Sequence, residues 1–249
     1  MRHLSIAAAL CALAFPVAAW AQQITVSAAA SLTEAFKELA PRFEAARPGV
    51  TVRLNFAASG ALIQQIAQGA PVDVLASADQ ETMDRGVQQR LIDAPTRRNF
   101  ASNSLVLIEP AKDGVGLKTL QDLTRPTVKR IAVGKLATVP VGRYTKQALD
   151  AAKLWTVLEP RFVQADSVRQ VLDYVARAEV EAGFVYRTDA ALVGDRVKVV
   201  MSLPVTSPIT YPVAVVAHSR QKELAQAFAA HLLSDTAQQV LARHGFGKP

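Results

Sequence analysis

Residues 24–36 read ITVSAAASLTEAF, and how this stretch is read decides the fold. Ile24, Thr25 and Val26 form a β-branched, strand-like opening. Three alanines follow, and then Ser31 stands three residues before Glu34, the S-x-x-E spacing of a capping box at a helix start. A strand joined to a helix by small side chains alone leaves the free N–H groups of the helix N-terminus approachable beside a serine hydroxyl. That arrangement suits a small anion.

Outward from this unit the same alternation continues. A helix carrying Leu32, Phe36, Leu39 and Phe43 on one face ends at Arg47-Pro48-Gly49. The strand Val50–Phe56, a helix from Ser59 with Leu62, Ile63 and Ile66, and the strand Val72–Ser77 follow, with Asp79 capping the next helix. Further on, NSLVLIEP (103–110), RIAVG (130–134) and AGFVY (182–186) read as strands. VGRYTKQALDAA (141–152) and SVRQVLDYVARA (167–178) read as helices, the second with Val168, Val171, Leu172 and Val175 at i, i+3, i+4 and i+7. TYPVAVVAH (210–218) is a last strand, followed by helices to Leu233 and Arg243. Strand–helix alternation of this kind predicts parallel, doubly wound α/β sheets. Extended segments near 100–105 and 204–211 predict two lobes joined by a two-strand hinge, with residues 22–102 and 208–249 in lobe 1 and 103–207 in lobe 2, the C-terminal helices packing back on lobe 1.

The first 21 residues read as a cleavable signal peptide. Met1-Arg2-His3 is a positive start, Leu4 to Ala19 is a predominantly apolar run broken by Pro16, and Ala19-Trp20-Ala21 has the A-x-A form of a cleavage site. Cys11, the one cysteine, lies inside it, so the mature chain is expected to be cysteine-free and exported to the periplasm. The 228 residues that remain suffice for two lobes. They carry 27 basic and 21 acidic side chains, scattered rather than clustered with aromatics, which excludes nucleic acid as a partner and leaves a mild attraction for anions.

Catalytic and metal motifs are missing from the sequence. Neither Ser31 nor Ser59 sits in G-x-S-x-G, there is no H-E-x-x-H and no P-loop, and Gly114-Val115-Gly116 does not lead from a strand into a helix. His218, His231 and His244 are too far apart for a local metal site and read as surface or C-terminal packing residues. Asp73, Asp79 and Asp173 form no acid–base set. The recurring feature is instead the helix start: Ser31, Ser59-Gly60, the region of Val141, and Asp166 to Val168. In a doubly wound sheet such starts share the carboxyl edge of the strands, where ligands bind.

Taken together, ITVSAAASLTEAF, NFAASGALIQQIAQGAPVDVLASADQETMD, NSLVLI, IAVGKLATVPVGRYTKQAL, ADSVRQVLDYVARAEVEAGFVYRTDA and YPVAVV resemble the periplasmic molybdate-binding proteins of molybdate ABC transporters, from Ile24 to about Phe246. The resemblance implies the two-lobed type II periplasmic-binding fold and a MoO4 dianion held by hydrogen bonds alone. It implies the following donors: backbone amide and hydroxyl from Ser31 and Ser59, backbone amides from Val141 and Val168, and the phenolic O–H of Tyr186. Val141 and Arg143 depart from the family's usual alanine and apolar residue, and Arg143 brings a charge near the cleft rim. Arg169, beside Val168, reads either as a rim charge or, the favoured expectation, as a salt bridge between the lobes.

A site built this way needs no counter-ion, because each helix N-terminus presents about half a positive charge. Donors without acceptors disfavour a protonated oxyanion such as HPO4, whereas sulfate must be excluded by size. The resulting expectation is a monomeric solute-binding protein without cofactor or catalytic activity, which delivers molybdate or tungstate to an inner-membrane permease. Two rivals remain: the same fold tuned to another tetrahedral oxyanion, chiefly sulfate, and a periplasmic serine hydrolase using Ser31 or Ser59, which would require a base that neither motif supplies.

Overall fold

The computed structural model describes residues 22–249; the signal peptide expected at 1–21 lies outside them. The chain runs through β1 (Gln22–Ala29), α1 (Thr33–Ala45), β2 (Val50–Ala57), α2 (Ser59–Ala67), β3 (Val74–Ala76), α3 (Gln80–Gln88) and β4 (Arg98–Asn103). It crosses at Ser104 into β5 (Leu105–Pro110), β6 (Ile131–Gly134), α4 (Pro140–Ala151), α5 (Trp155–Leu158), β7 (Phe162–Ala165), α6 (Val168–Ala176), β8 (Ala182–Tyr186), α7 (Arg187–Leu192) and β9 (Val197–Leu203). It then returns as β10 (Ile209–Val215), α8 (Lys222–Leu232) and α9 (Asp235–Arg243).

Two five-stranded sheets result, ordered β2-β1-β3-β10-β4 and β7-β6-β8-β5-β9. Their strands are parallel where a helix makes the crossover: β1 with β2 and β3, β6 with β7 and β8. They are not parallel throughout, which corrects the expectation of wholly parallel sheets. β10 runs antiparallel to β3 and β4, and β5 antiparallel to β8 and β9. The reversed strands include those by which the chain enters each lobe from the other, so their direction is set by the crossing and not by a βαβ unit. β7 and β9 were not anticipated; they are short or at a sheet edge, where burial leaves a weak pattern.

The first lobe is closed by aromatic packing. Phe36 on α1 meets Phe100 on β4 and Phe228 on α8, with ring centroids 5.9 and 6.1 Å apart, and Phe43 meets Phe228 edge-on at 5.1 Å. Each such side chain contributes about 1.5–3 kcal/mol by leaving water. The C-terminal helices therefore lie against α1. There the His231 ring packs on Phe43 and His244 Nε2 sits 3.0 Å from Glu38, which gives both histidines a structural role. Asp73, likewise, accepts the Thr25 N–H at 2.8 Å and the Ser219 hydroxyl at 2.6 Å, tying strand edges together.

Candidate functional site

Five helix or turn starts and strand ends meet between the sheets. At the end of β1, Ala30–Leu32 form a 3-10 turn ahead of α1. The predicted capping box is absent: Leu32 is the N-cap and no side chain caps α1. The Ser31 hydroxyl is engaged elsewhere, 3.0 Å from the Tyr211 hydroxyl, and Glu34 pairs with Lys37. Ser59 is the first residue of α2, after the N-cap Ala58, and its Oγ accepts the Ala78 N–H at 3.0 Å. Val141 is the second residue of α4, and Val168 the first of α6, whose N-cap Ser167 accepts the Gln170 N–H. Tyr186 closes β8.

All five residues are buried and line one small cavity with Ala29, Ala30, Ala58, Ala78, Val139 and Pro140. The small side chains of the opening stretch have their physical role here: they let the backbone itself form the wall. Within the second lobe Gly142 lets the start of α4 lie close on the end of β6, since a Cβ there would lie 2.0 Å from the Gly134 carbonyl oxygen. No lining side chain is charged. The N–H groups of Ser59, Val141 and Val168 are among the first four of their helices, which have no acceptor within the helix, and the helix dipoles add positive potential.

The hydroxyls are unequal. Among the described residues Tyr186 Oη is buried without a hydrogen-bond partner, an arrangement that costs about 1–3 kcal/mol unless a bound group supplies one. Burial pushes its ionisation well above the usual tyrosine range, so it stays a donor. Ser59 Oγ already accepts from Ala78, and its own proton is left for the cavity.

The charges near the cleft are paired with each other. Arg143 on α4 reaches across to the first lobe, where its Nε donates to Asp79 Oδ2 at 2.9 Å and Nη2 bonds Asp79 and Thr82 Oγ1, the latter at 3.0 Å. Asp79 is the N-cap of α3, as its position predicted, accepting from the Thr82 N–H. Its second role as the partner of Arg143 carries no local signal. Arg169, expected to bridge the lobes, instead pairs inside its own lobe, with Nε 2.8 Å from the buried Asp189. Across the cleft it offers only a long 3.5 Å contact to the Ser31 carbonyl. The α6–α7 packing brings Asp189 closer than any acid of the first lobe. The lobes also touch through backbone, the Gly60 N–H donating to the Thr138 carbonyl at 2.9 Å.

The sequence pattern of the family described as bacterial extracellular solute-binding protein matches residues 24–247. A relative named molybdate-binding protein ModA from Escherichia coli (strain K12) is 39% identical over 230 residues, covering 90% of this chain and 88% of its own. The solved substrate-binding domain of a putative molybdenum ABC transporter from Clostridium difficile superposes with a TM-score of 0.69 at 36% identity, over 91% of this chain and 99% of that one. The periplasmic molybdate-binding protein of Azotobacter vinelandii shares the fold, with a TM-score of 0.77 at 24% identity over 91% and 99% of the two chains. With its two α/β lobes, its donor-lined cavity between them and a match along nearly its whole described length, the chain belongs to the bacterial extracellular solute-binding protein family.

Proposed function

We propose that this protein captures molybdate in the cleft between its lobes and hands it to an ABC-transporter permease, working in the periplasm as a binding protein and not as an enzyme. The observation that carries this reading is the cavity: three hydroxyls and several helix N-termini converge on it, and no carboxylate or cation lines it. Such a site matches a fully deprotonated tetrahedral dianion, each charge-assisted hydrogen bond contributing about 1.5–3 kcal/mol. Ser31, Ser59 and Tyr186 would donate through hydroxyls, with backbone amides from both serines, Val141 and Val168. The names of the relatives favour molybdate over sulfate among such dianions, and tungstate, of the same shape and charge, is proposed as a second ligand. For the hydrolase alternative, the hydroxyl partners of Ser31 and Ser59 are a phenol and an N–H, neither of them a general base. The lobes would hinge at the crossings near Asn103–Leu105 and between Leu203 and Ile209.

Thermal unfolding of the mature protein with molybdate, tungstate, sulfate or phosphate tests the reading. A ligand at 100 times its dissociation constant stabilises by about 2.7 kcal/mol. Large shifts are expected with the first two anions and small ones with the others, and Tyr186→Phe should diminish the molybdate shift. An equal response to sulfate would overturn the molybdate assignment.

A further inference from the structure

Tyr211 and Asn103 lie outside the cavity lining, yet they decide what one of its walls can do. Tyr211, on β10, is fully buried. Asn103 is the last residue of β4, at the first crossing between the lobes, and is paired in register with Ile209 at the second. The Asn103 side chain has a fixed orientation. Its Oδ1 accepts the Ser104 N–H at 2.9 Å, so its Nδ2 faces the other way, donating to Thr188 Oγ1 at 2.9 Å and to Tyr211 Oη at 3.2 Å. Tyr211 Oη is thus already an acceptor. Ser31 Oγ, 3.0 Å away, is the one other hydrogen-bond partner of Tyr211 Oη among the described residues. The phenolic proton accordingly goes to Ser31 Oγ, and the Ser31 proton is turned out of this chain.

We infer that Asn103 and Tyr211 are positioning residues which, by filling the acceptor side of Ser31 Oγ, make its hydroxyl an obligate donor toward the anion. This rests on the oxyanion reading of the cavity. Ser59 reaches the same state by another route, its acceptor side being filled by the Ala78 N–H. At Ser59 the main chain supplies the donor; at Ser31 a side-chain relay of two residues, Asn103 and Tyr211, does, running through strands at both crossings. Burial raises the ionisation of Tyr211 well above the ordinary tyrosine range, so the phenolic proton of the relay stays in place at neutral pH. Two serines held as donors present no acceptor to a protonated oxyanion. A free Ser31 hydroxyl could rotate and accept from one.

Calorimetric titration of the mature protein with sodium molybdate and with hydrogenphosphate tests this in wild type, Tyr211→Phe, Ser31→Ala, the double variant and Tyr211→Phe/Tyr186→Phe. Tyr211→Phe keeps the ring and should weaken molybdate about five- to twentyfold, the loss of one oriented hydrogen bond. The preference for molybdate over hydrogenphosphate should narrow with it, a change that a merely structural role of the ring would not produce. In the Ser31→Ala background Tyr211→Phe should cost nothing further, whereas with Tyr186→Phe the two losses should multiply. Asn103→Ala, a second entry to the relay should Tyr211→Phe fold poorly, should weaken molybdate less and also lose its effect in Ser31→Ala. Undiminished losses in the Ser31→Ala background, or none in wild type, would overturn the relay while leaving molybdate binding standing. Absence of molybdate binding by the wild type would instead overturn the oxyanion reading, and the relay with it.

Discussion

Asp189 is fully buried beside Arg169, and the two effects on its carboxyl oppose each other. Burial raises its ionisation to about 6 from an ordinary 3.8, while the Arg169 guanidinium pulls it down. Among the described residues neither carboxylate oxygen makes a well-aligned hydrogen bond, so the cation does not cancel the cost of desolvation. Between those two values the folded protein holds more protons than the unfolded chain, and stability must fall as pH rises through that window. The contribution is fully present below the unfolded value and gone above about 6, a swing of about 3 kcal/mol at 1.36 kcal/mol per unit. Urea denaturation from pH 4 to 7 should therefore show wild type losing stability relative to Asp189→Asn as pH rises. Parallel curves for the two proteins would refute the raised value.

The starts of α2 and α4 abut so closely that one methyl group more or less decides whether they can meet. Gly60, the second residue of α2, donates to Thr138 just ahead of α4, and a Cβ on Gly60 would lie 2.6 Å from the Thr138 backbone. Thr138 main chain cannot swing aside as a flexible side chain could. Within α2 itself alanine is favoured over glycine by about 1 kcal/mol. Gly60→Ala should consequently separate two properties that most variants confound. The ligand-free protein should be at least as resistant to denaturant as wild type. Its molybdate affinity should fall about 5- to 150-fold, equivalent to the 1–3 kcal/mol of an overpacked contact. Unchanged affinity by calorimetry would mean that the two helix starts need not approach this closely in the bound state.

At the scale of the whole molecule, Arg143 and Asp79 form a latch between the lobes. Their side chains are 12% and 5% exposed, and with Thr82 they fasten α4 to the start of α3. Removing one partner of a buried pair costs about 3–5 kcal/mol while the other stays buried. Here the remaining charge can escape by opening, because Asp79 regains water when the lobes part. The cost of Arg143→Gln therefore falls on closure and not on folding. A ligand that binds the closed form must then supply the difference. Small-angle scattering at low molybdate should show a larger radius of gyration for Arg143→Gln than for wild type, with affinity about tenfold weaker or more. Saturating ligand should restore the compact form. Identical scattering and affinity would reduce the pair to a surface ornament of the cleft.

The helix starts and strand ends that surround the cavity were legible in the sequence because their signals are local. Small residues after a β-branched run and Asp79 ahead of α3 each act within a turn of themselves. Periodicity likewise marks α1 and α6, since one face of each must be buried. Strand direction was not legible: β10 enters its sheet from the far lobe, and nothing in TYPVAVVAH records which way its neighbours run. Nor was the state of the site's hydroxyls. Ser31 reads as a helix cap until Tyr211, 180 residues away, takes its oxygen. Arg143 reads as a loose rim charge until Asp79, 64 residues back, neutralises it. Sequence alone determined which backbone segments could present N–H groups to an anion, a matter of local geometry. Tertiary structure decided which hydroxyls are held as donors and which charges are cancelled, because hydrogen bonds and ion pairs are set by distances that only the folded chain brings into range.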